Sequence, residues 1–256
     1  MSRKIALVTG ASSGIGYATA LMLARLGYDL ILLARRQERL QALQQALSDN
    51  PETVNAQVYL AAVDVRSLEE IQSFYNALPS PWKSIDLLVN NAGLAKGLSK
   101  FYEGDVDHWE QMIDTNVKGL LYMSRTVTPD MIARGSGHII NIGSIAGKEV
   151  YDNGNVYCGT KFAVDAITKG MRLELAVHGL KVTGIHPGAV ETEFSVVRFD
   201  GDEERAQKVY EGFDNLVAED IAEAIEFVVT RKPHVNINDL VIMPQAQAVA
   251  GVIIRK

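Results

Sequence analysis

The sequence predicts an α/β fold: one domain with a doubly wound parallel sheet of about seven strands and helices on both faces. Three observations support this prediction. Short apolar runs alternate with helical stretches along almost all of the 256 residues. The apolar runs, such as Ile-Ala-Leu-Val at 5–8 and Leu-Ile-Leu-Leu at 30–33, do not alternate with polar residues, which is typical of strands covered on both faces. Repeated βα units with short links indicate parallel strands joined by right-handed crossovers.

The hydrophobic pattern places the elements in order. Short runs rich in apolar residues predict strands at 5–8, 29–33, 57–63, 85–89, 138–142, 181–185 and 240–243. Apolar residues spaced three or four apart predict helices at 17–26, 38–47, 68–78, 107–133, 156–177 and 218–229. The least regular stretches, 93–105 and 191–212, both follow strands. Ligands of open α/β sheets bind beyond the carboxyl ends of strands, so both stretches are candidate cofactor or substrate loops.

The composition excludes several classes of protein. Hydrophobic residues make up 47% of the chain and charged residues 22%, which is ordinary for a globular protein and unlike a disordered one. The net charge of −6 is opposite in sign to that of a general nucleic-acid or anionic-membrane binder. No apolar run reaches the roughly 18 residues of a membrane span, and the first strand begins too early to leave room for a signal peptide. The single cysteine, Cys158, cannot form an internal disulfide, and no Cys/His pattern has metal-ligand spacing, so we expect a metal-free cytoplasmic protein.

A glycine-rich turn joins the first strand to the first helix, with the sequence Thr-Gly-Ala-Ser-Ser-Gly-Ile-Gly at 9–16. Glycines there permit a tight turn and let a pyrophosphate approach the backbone N–H groups of a helix N-terminus. The spacing Gly-x-x-x-Gly-x-Gly is similar to that of short-chain dehydrogenases/reductases, whose domain is a Rossmann fold. The turn therefore predicts a dinucleotide site that includes Gly10, Ser12, Ser13, Gly14, Ile15 and Gly16.

The end of the second strand indicates which dinucleotide is bound. NAD enzymes carry an acidic residue there, which accepts a hydrogen bond from the ribose 2′-OH, whereas an Arg accommodates the 2′-phosphate of NADP. This chain has Arg35 and Arg36 at the corresponding distance beyond Gly16, and no acid. Guanidinium groups match the geometry of a phosphate. We therefore predict NADP as the cofactor, with Arg35 as the main phosphate ligand and Arg36 as a partner that stacks on the adenine.

The same resemblance implies further cofactor contacts after three other strands. Asp-Val at 64–65 closes the third strand, where an acid binds the adenine amino group in the family. Asn-Asn-Ala-Gly at 90–93 follows the fourth strand, and in the family this motif supports the sheet and lines the cofactor. The segment 187–192 follows the sixth strand and is implied to lie against the nicotinamide. The implied contacts are Asp64, Val65, Asn91, Ala92, Gly93, Pro187, Gly188, Val190 and Thr192.

Tyr157 and Lys161 form a Tyr-x-x-x-Lys pair on a predicted helix, where side chains four apart share a face. Reduction of a carbonyl needs an acid that protonates the developing alkoxide, and oxidation of an alcohol needs the same group as a base. Lowering a tyrosine pKa from about 10 to about 7 requires about 4 kcal/mol. A cation about 4 Å away at an effective dielectric constant near 20 supplies about that much. We therefore predict Tyr157 as the acid/base and Lys161 as the cation that lowers its pKa.

Two further polar residues complete the predicted catalytic set. Ser144 follows the strand at 138–142, and a hydroxyl at that edge can hydrogen-bond the substrate oxygen. Asn116 lies within a predicted helix, and the resemblance implies that it breaks the helix locally and holds a water that links Lys161 to solvent. The resemblance also implies that Tyr157 and Lys161 contact the cofactor, with Lys161 at the nicotinamide ribose.

The resemblance spans essentially the whole chain. It extends to the branch of NADP-dependent 3-hydroxy acid dehydrogenases, which includes serine and allo-threonine dehydrogenases, through the stretches 34–40, 154–158, 190–201 and 235–238. Arg198 lies in the variable segment, 190–215, that covers the substrate in this family. Its guanidinium can bind a planar carboxylate through two N–H groups, or it can form a surface salt bridge with Asp202.

These residues predict an oxidoreductase that transfers hydride between NADP(H) and a small hydroxyl/carbonyl substrate, such as serine or a related 3-hydroxy acid. Two alternatives remain open. One is a broader carbonyl or 3-oxoacyl reductase, although several acids and a single Arg near the substrate argue against docking of an acyl carrier. The other is a non-enzymatic NADPH sensor, although such relatives usually lack the Tyr or the Lys. The resemblance further implies a homotetramer in which helices 107–133 and 156–177 pack against partner copies, and we expect the apolar tail, 246–254, at another subunit interface.

Overall fold

The computed structural model describes residues 3–256 as a parallel sheet with helices on both faces, which confirms the predicted fold class. The seven strands of this sheet are β1 (Ile5–Thr9), β2 (Asp29–Ala34), β3 (Val58–Ala62), β4 (Ile85–Asn90), β5 (Gly137–Ile142), β6 (Leu180–Pro187) and β7 (Asp239–Ile242). They pair in the order β3-β2-β1-β4-β5-β6-β7. The order reverses between β1 and β4, and ligand clefts of open α/β sheets form at such a switch point.

The α-helices cover both faces of the sheet. They are α1 (Gly14–Arg25), α2 (Gln37–Asp49), α3 (Leu68–Ala77), α4 (Val106–Ile113), α5 (Leu120–Arg134), α6 (Asn155–Leu175), α7 (Phe194–Arg198), α8 (Glu203–Lys208) and α9 (Ala218–Val229). Five of the six predicted helices each have one counterpart among them, with ends that differ by up to three residues, and the sixth, 107–133, is divided between α4 and α5. Within residues 3–256, none of these helices combines the length and the apolarity that crossing a membrane requires.

The strands bury apolar side chains on both faces, as their non-alternating sequences predict. In β1, Leu7 packs in the apolar cluster that includes α3, α5 and α6. Its neighbours Ala6 and Val8 point to the opposite face and pack in the cluster that includes α1, α2 and α9. All three side chains are fully buried, and a fully buried Leu or Val contributes about 1.5–3 kcal/mol. The two clusters hold the sheet rigid, so that the loops at its carboxyl edge have fixed bases.

The helix predicted at 107–133 is not continuous. A π-helical turn, Asp114–Gly119, separates α4 from α5. The side chain of Asn116 lies within this turn and bonds to the loop after β4: its Oδ1 accepts from the N–H of Leu94 and its Nδ2 donates to the carbonyl of Leu94, both at 2.8 Å. π-Helical turns often occur at functional sites, and this one turns a polar side chain toward the carboxyl edge of the sheet.

Two segments have more structure than the sequence pattern predicts. The stretch at 191–212 contains the short helices α7 and α8. The tail forms a hairpin of β8 (Gln247–Val249) and β9 (Val252–Ile253). This hairpin packs on its own chain, because the N–H of Ala250 donates to Glu149 at 2.8 Å and Arg255 donates to the carbonyl of Val209 at 3.0 Å. The tail therefore contributes to the wall of a cleft in its own subunit, a role that the sequence analysis did not predict.

Candidate active site

One large cleft opens at the carboxyl edge of the sheet and encloses about 450 Å³, within the range of small-molecule and cofactor sites. Its wall includes most of the residues that the sequence analysis singled out: Gly10, Ser12, Ser13, Gly14, Ile15, Arg35, Arg36, Asp64, Val65, Asn91, Ala92, Gly93, Ser144, Tyr157, Lys161, Pro187, Gly188, Val190, Thr192 and Arg198. Gly16 and Asn116 are not on the wall and lie directly behind it. The structure therefore brings the predicted cofactor, catalytic and substrate residues into one cleft.

The glycine-rich turn after β1 leaves no room for side chains. Gly10 and Gly14 have φ angles of +66° and +53°, which glycine adopts without strain. A Cβ atom on Gly16 would lie 2.3 Å from the carbonyl oxygen of Gly10. Asn91 holds the turn from the next strand, because its Nδ2 donates to the carbonyls of Thr9 and Gly10 at 2.9 and 3.2 Å. The turn is thus a backbone cradle at the N-terminus of α1.

Two cations, Arg35 and Arg36, follow β2 next to the glycine turn, and no acidic residue stands there. The Nη2 atom of Arg36 lies 3.3 Å from the hydroxyl of Ser12 and 3.4 Å from that of Ser13. Arg35 lines the same part of the cleft. The carboxylate of Asp64 is bonded by the guanidinium of its neighbour Arg66, which holds the pKa of Asp64 below its usual value although partial burial acts in the opposite direction.

Asn116 and Lys161 fill the space behind the loop after β4. The Nδ2 atom of Asn116 donates to Thr160 of α6 at 3.0 Å, in addition to its bonds to Leu94. The ammonium of Lys161 donates to the carbonyl of Ile142, the last residue of β5, at 2.9 Å. A Cβ on Gly93 would lie 3.3 Å from Asn116 and 3.6 Å from Lys161. The π-helical turn and α6 therefore bring these two polar side chains together beside Gly93, with Lys161 on the cleft wall and Asn116 behind it.

Ser144 caps the short turn after β5 and faces Tyr157. Its hydroxyl accepts from the N–H of Ala146 at 3.1 Å and donates to the carbonyl of Pro187 at 3.5 Å. Burial raises the pKa of Tyr157, while the Arg198 guanidinium and the Ser144 hydroxyl act in the opposite direction. Tyr157 therefore keeps its proton at neutral pH and is in the form that can protonate an alkoxide.

Lys161 lies beside the ring of Tyr157, and its role as the cation that lowers the Tyr157 pKa stays a prediction. Its ammonium lies 5.9 Å from the centroid of the Tyr157 ring and donates a hydrogen bond to the backbone carbonyl of Ile142. Burial lowers the pKa of Lys161 to about 8, so the ammonium is still charged at pH 7. Arg198 is a second cation near the same ring: its guanidinium carbon lies 5.4 Å from the ring centroid, and its charge acts against the rise in the Tyr157 pKa.

Arg198 lies among three aromatic rings at the end of α7. Its guanidinium carbon is 5.4–5.8 Å from the ring centroids of Tyr157, Tyr151 and Phe194, and it donates a hydrogen bond to the Tyr151 hydroxyl. The Nε atom is buried and has no hydrogen-bond partner in residues 3–256. The salt bridge with Asp202 that the sequence left open is not formed, because the Asp202 carboxylate caps α8 by accepting from the N–H of Arg205. The cleft thus contains a cation that no carboxylate of the described chain neutralises.

Several residues near the cleft carried no usable sequence signal. Tyr151 and Glu193 line the cleft, and Gln247 and Ile253 reach it from the tail. On β6, His186 is buried against Asp239 and Asp165, and the ammonium of Lys148 lies 2.6 Å from Asp165. These charged residues are far apart in sequence and have no motif spacing. Only the packing of α6, β6 and β7 brings them together.

Comparisons with known proteins show which family the chain is similar to. The family model described as short chain dehydrogenase matches residues 4–228. The NADP-dependent 3-hydroxy acid dehydrogenase of Salmonella typhi is 47% identical over 253 residues, which are 98% of this chain and 99% of the relative. The closed form of serine dehydrogenase complexed with NADP+ superposes with a TM-score of 0.91 at 45% identity, covering 98% of this chain and 99% of that one. Serine dehydrogenase from Escherichia coli gives a TM-score of 0.82 at 42% identity, covering 95% and 99%.

Proposed function

The chain belongs to the short-chain dehydrogenase family, and we propose that it is an NADP-dependent oxidoreductase acting on the hydroxyl group of a small 3-hydroxy acid such as serine. The observation that carries the substrate class is the unneutralised guanidinium of Arg198, close to the ring of Tyr157. A partly buried cation among aromatic rings favours an anionic ligand, and a carboxylate meets two N–H groups of a guanidinium at once.

The residues of the cleft fit an NADP cofactor. The Gly10–Gly16 turn brings backbone close to the cleft at Gly10 and Gly14, which carry no Cβ atoms that could block a pyrophosphate. Arg35, Arg36, Ser12 and Ser13 would hold the 2′-phosphate, since they supply cations and hydroxyls and there is no acid at the end of β2 to favour a 2′-OH. When bound, NADP(H) supplies or accepts the hydride.

The side chains around Tyr157 would handle the proton. Tyr157 donates its proton to the oxygen of a carbonyl substrate, or removes the proton of an alcohol in the opposite direction. Ser144 lies beside it and would stabilise charge on the same oxygen. Lys161 would bind the cofactor ribose and, with Asn116 behind it, link Tyr157 to solvent. Segment 190–215 would cover the substrate, as its residues Val190, Thr192, Phe194 and Arg198 line the cleft.

The experiment that tests the substrate class is the Arg198→Met variant, assayed on two kinds of alcohol. We expect kcat/KM for serine and other 3-hydroxy acids to fall about ten- to a hundredfold, because one charge-assisted bond contributes roughly 1.5–3 kcal/mol. Uncharged alcohols of similar size should lose much less, because Arg198 acts on them only through the Tyr157 pKa. Arg205→Met is the matched control, because Arg205 lies on the same segment but stacks on Phe199. An equal loss on both kinds of substrate would contradict the proposal.

The assembly and location proposed here rest on surface features. Large apolar side chains are exposed on α4, α5 and α6, including Val106, Leu121, Phe162 and Leu173, and such a surface suits packing against partner copies. We infer a homotetramer built through these helices. A cytoplasmic location is consistent with the single cysteine, Cys158, which is fully buried as a free thiol.

A further inference from the structure

Glu193 reaches across the cleft to the arginines at the start of α2. It follows Thr192 in the segment that covers the cleft, and Thr192 lies against the glycine turn, 3.1 Å from where a Cβ on Gly14 would be. The Glu193 carboxylate lies 3.2 Å from Nη2 of Arg36 and also forms a salt bridge with Arg39. This bridge joins the substrate-covering segment to the cofactor end of the cleft.

The Arg36 nitrogen that binds Glu193 is the one that faces the two serine hydroxyls. Its distances to Ser12 and Ser13 are 3.3 and 3.4 Å, so three acceptors share one guanidinium nitrogen. A carboxylate and a phosphate use guanidinium groups in the same way, through oxygens that accept from the N–H fork. Two anions on one guanidinium also repel each other, and the 2′-phosphate carries up to two negative charges.

We propose that Glu193 is a specificity-determining residue, an internal anion that competes with the cofactor 2′-phosphate for Arg36. The inference rests on the proposed use of NADP. When a phosphate binds to Arg36, Glu193 gives up that guanidinium and stays on Arg39, so the covering segment remains attached to α2. The cost of the exchange falls only on ligands with a 2′-phosphate. Glu193 thereby limits how strongly the cleft prefers NADP over NAD.

The charge of Glu193 supports this competition. The hydrogen bond from Arg39 lowers the pKa of Glu193, with a further contribution from Arg36, so the carboxylate is ionised at neutral pH. The side chain of Glu193 is 43% exposed and that of Arg36 is 41% exposed. A ligand can therefore approach both side chains without unfolding of the segment. The matched position is Glu191, in the same segment, whose carboxylate accepts from Asn215 at 3.0 Å and forms no bond to an arginine of the described chain.

The test is calorimetric titration of the intact protein with 2′,5′-ADP and with 5′-AMP, which differ only in the 2′-phosphate. In E193Q we expect the affinity for 2′,5′-ADP to rise roughly two- to fivefold at low salt, the range of an exposed ion pair, and the affinity for 5′-AMP to stay the same. E191Q removes the same charge from the same segment and should leave the ratio of the two affinities at its wild-type value.

Three outcomes would overturn the inference. These are an unchanged affinity ratio in E193Q, an equal rise in E193Q and E191Q, and weaker binding of 2′,5′-ADP in E193Q. Weaker binding of 2′,5′-ADP would mean that Glu193 helps to close the cleft around the ligand. The proposed function fails in a different way: the wild-type protein itself would then bind 2′,5′-ADP no better than 5′-AMP, and the inference would fall with it.

Discussion

Tyr157 is a buried tyrosine with a raised pKa. Its protonation state determines which direction of the reaction it can support. Neutral pH leaves the hydroxyl protonated, which suits reduction of a carbonyl, whereas oxidation of an alcohol needs the tyrosinate. The sequence located this residue through its spacing to Lys161. It could not show that Arg198 is a second cation near the same ring, because that contact joins residues 41 positions apart in segments with no common pattern.

The Tyr157→Phe variant tests the proton transfer. Phe keeps the ring contacts with Phe194 and Arg198 and removes only the hydroxyl. We expect turnover to fall at least about 100-fold, which is the ordinary contribution of a general acid or base. NADPH affinity, measured by fluorescence titration, should stay within about fivefold of wild type, since one neutral hydrogen bond contributes about 1 kcal/mol. Activity above about a tenth of wild type would require another proton donor.

Lys161 costs stability at neutral pH, because burial lowers its pKa from 10.5 to about 8. At pH 7 the lysine is protonated in both the folded and the unfolded chain, so the cost is present in full. Between pH 8 and 10.5 the unfolded chain binds the proton and the folded chain has lost it, so the free energy of unfolding rises with pH in this window. The protonated form of Lys161 at neutral pH therefore lowers the free energy of unfolding.

This sign leads to a stability prediction for Lys161→Met. The shift corresponds to roughly 3 kcal/mol at about 1.4 kcal/mol per pKa unit, reduced by loss of the bond to the Ile142 carbonyl. Urea unfolding of the cofactor-free proteins at pH 7 should show the variant more stable by about 1–3 kcal/mol. The difference should shrink at pH 9–10, while activity is lost at both. A less stable variant at pH 7 would show that the lysine bond outweighs its desolvation.

At the scale of elements, the regular strands and helices could be predicted from the sequence and the irregular ones could not. The seven strands and most helix ends followed from apolar spacing, which reports burial on the two faces of the sheet. The π-helical turn, Asp114–Gly119, depends on bonds between Asn116 and Leu94, which belong to different elements. The tail hairpin depends likewise on Glu149, about a hundred residues earlier. Local periodicity carries no information about such contacts.

A substitution in the glycine turn should affect cofactor binding more specifically than a change in any other element. A Cβ on Gly16 would lie 2.3 Å from the Gly10 carbonyl oxygen and 2.5 Å from Nδ2 of Asn91, so a Gly16→Ala variant must shift backbone. An overpacked site of this kind costs about 1–3 kcal/mol, and we expect NADPH affinity to fall about ten- to a hundredfold. Fluorescence titration measures it, with the melting temperature as the control for folding. Unchanged affinity would mean that the turn does not shape the cofactor site.

At the scale of the molecule, the cleft is assembled from parts that lie at opposite ends of the chain. The cofactor end uses the loops after β1, β2 and β4, and the substrate end uses α7 and the tail hairpin. The bridge from Glu193 to Arg36 and Arg39 joins the two ends directly. The helices that carry Asn116, Tyr157 and Lys161 expose apolar side chains on their far surfaces, so assembly with partner copies would brace the catalytic elements from behind.

The final prediction concerns the mass of the proposed tetramer. Four chains of 28.0 kDa amount to about 112 kDa, and light scattering at micromolar concentration should give that mass for the wild-type protein. Leu173 on α6 has 81% of its surface exposed in the single chain, so Leu173→Glu should place repelling charges at the helix interface and give smaller species. Val54, which is 52% exposed in the connection after α2, serves as the control, and Val54→Glu should leave the mass unchanged. A wild-type mass near 28 kDa would contradict the tetramer, and the exposed apolar side chains of α4–α6 would then need another partner.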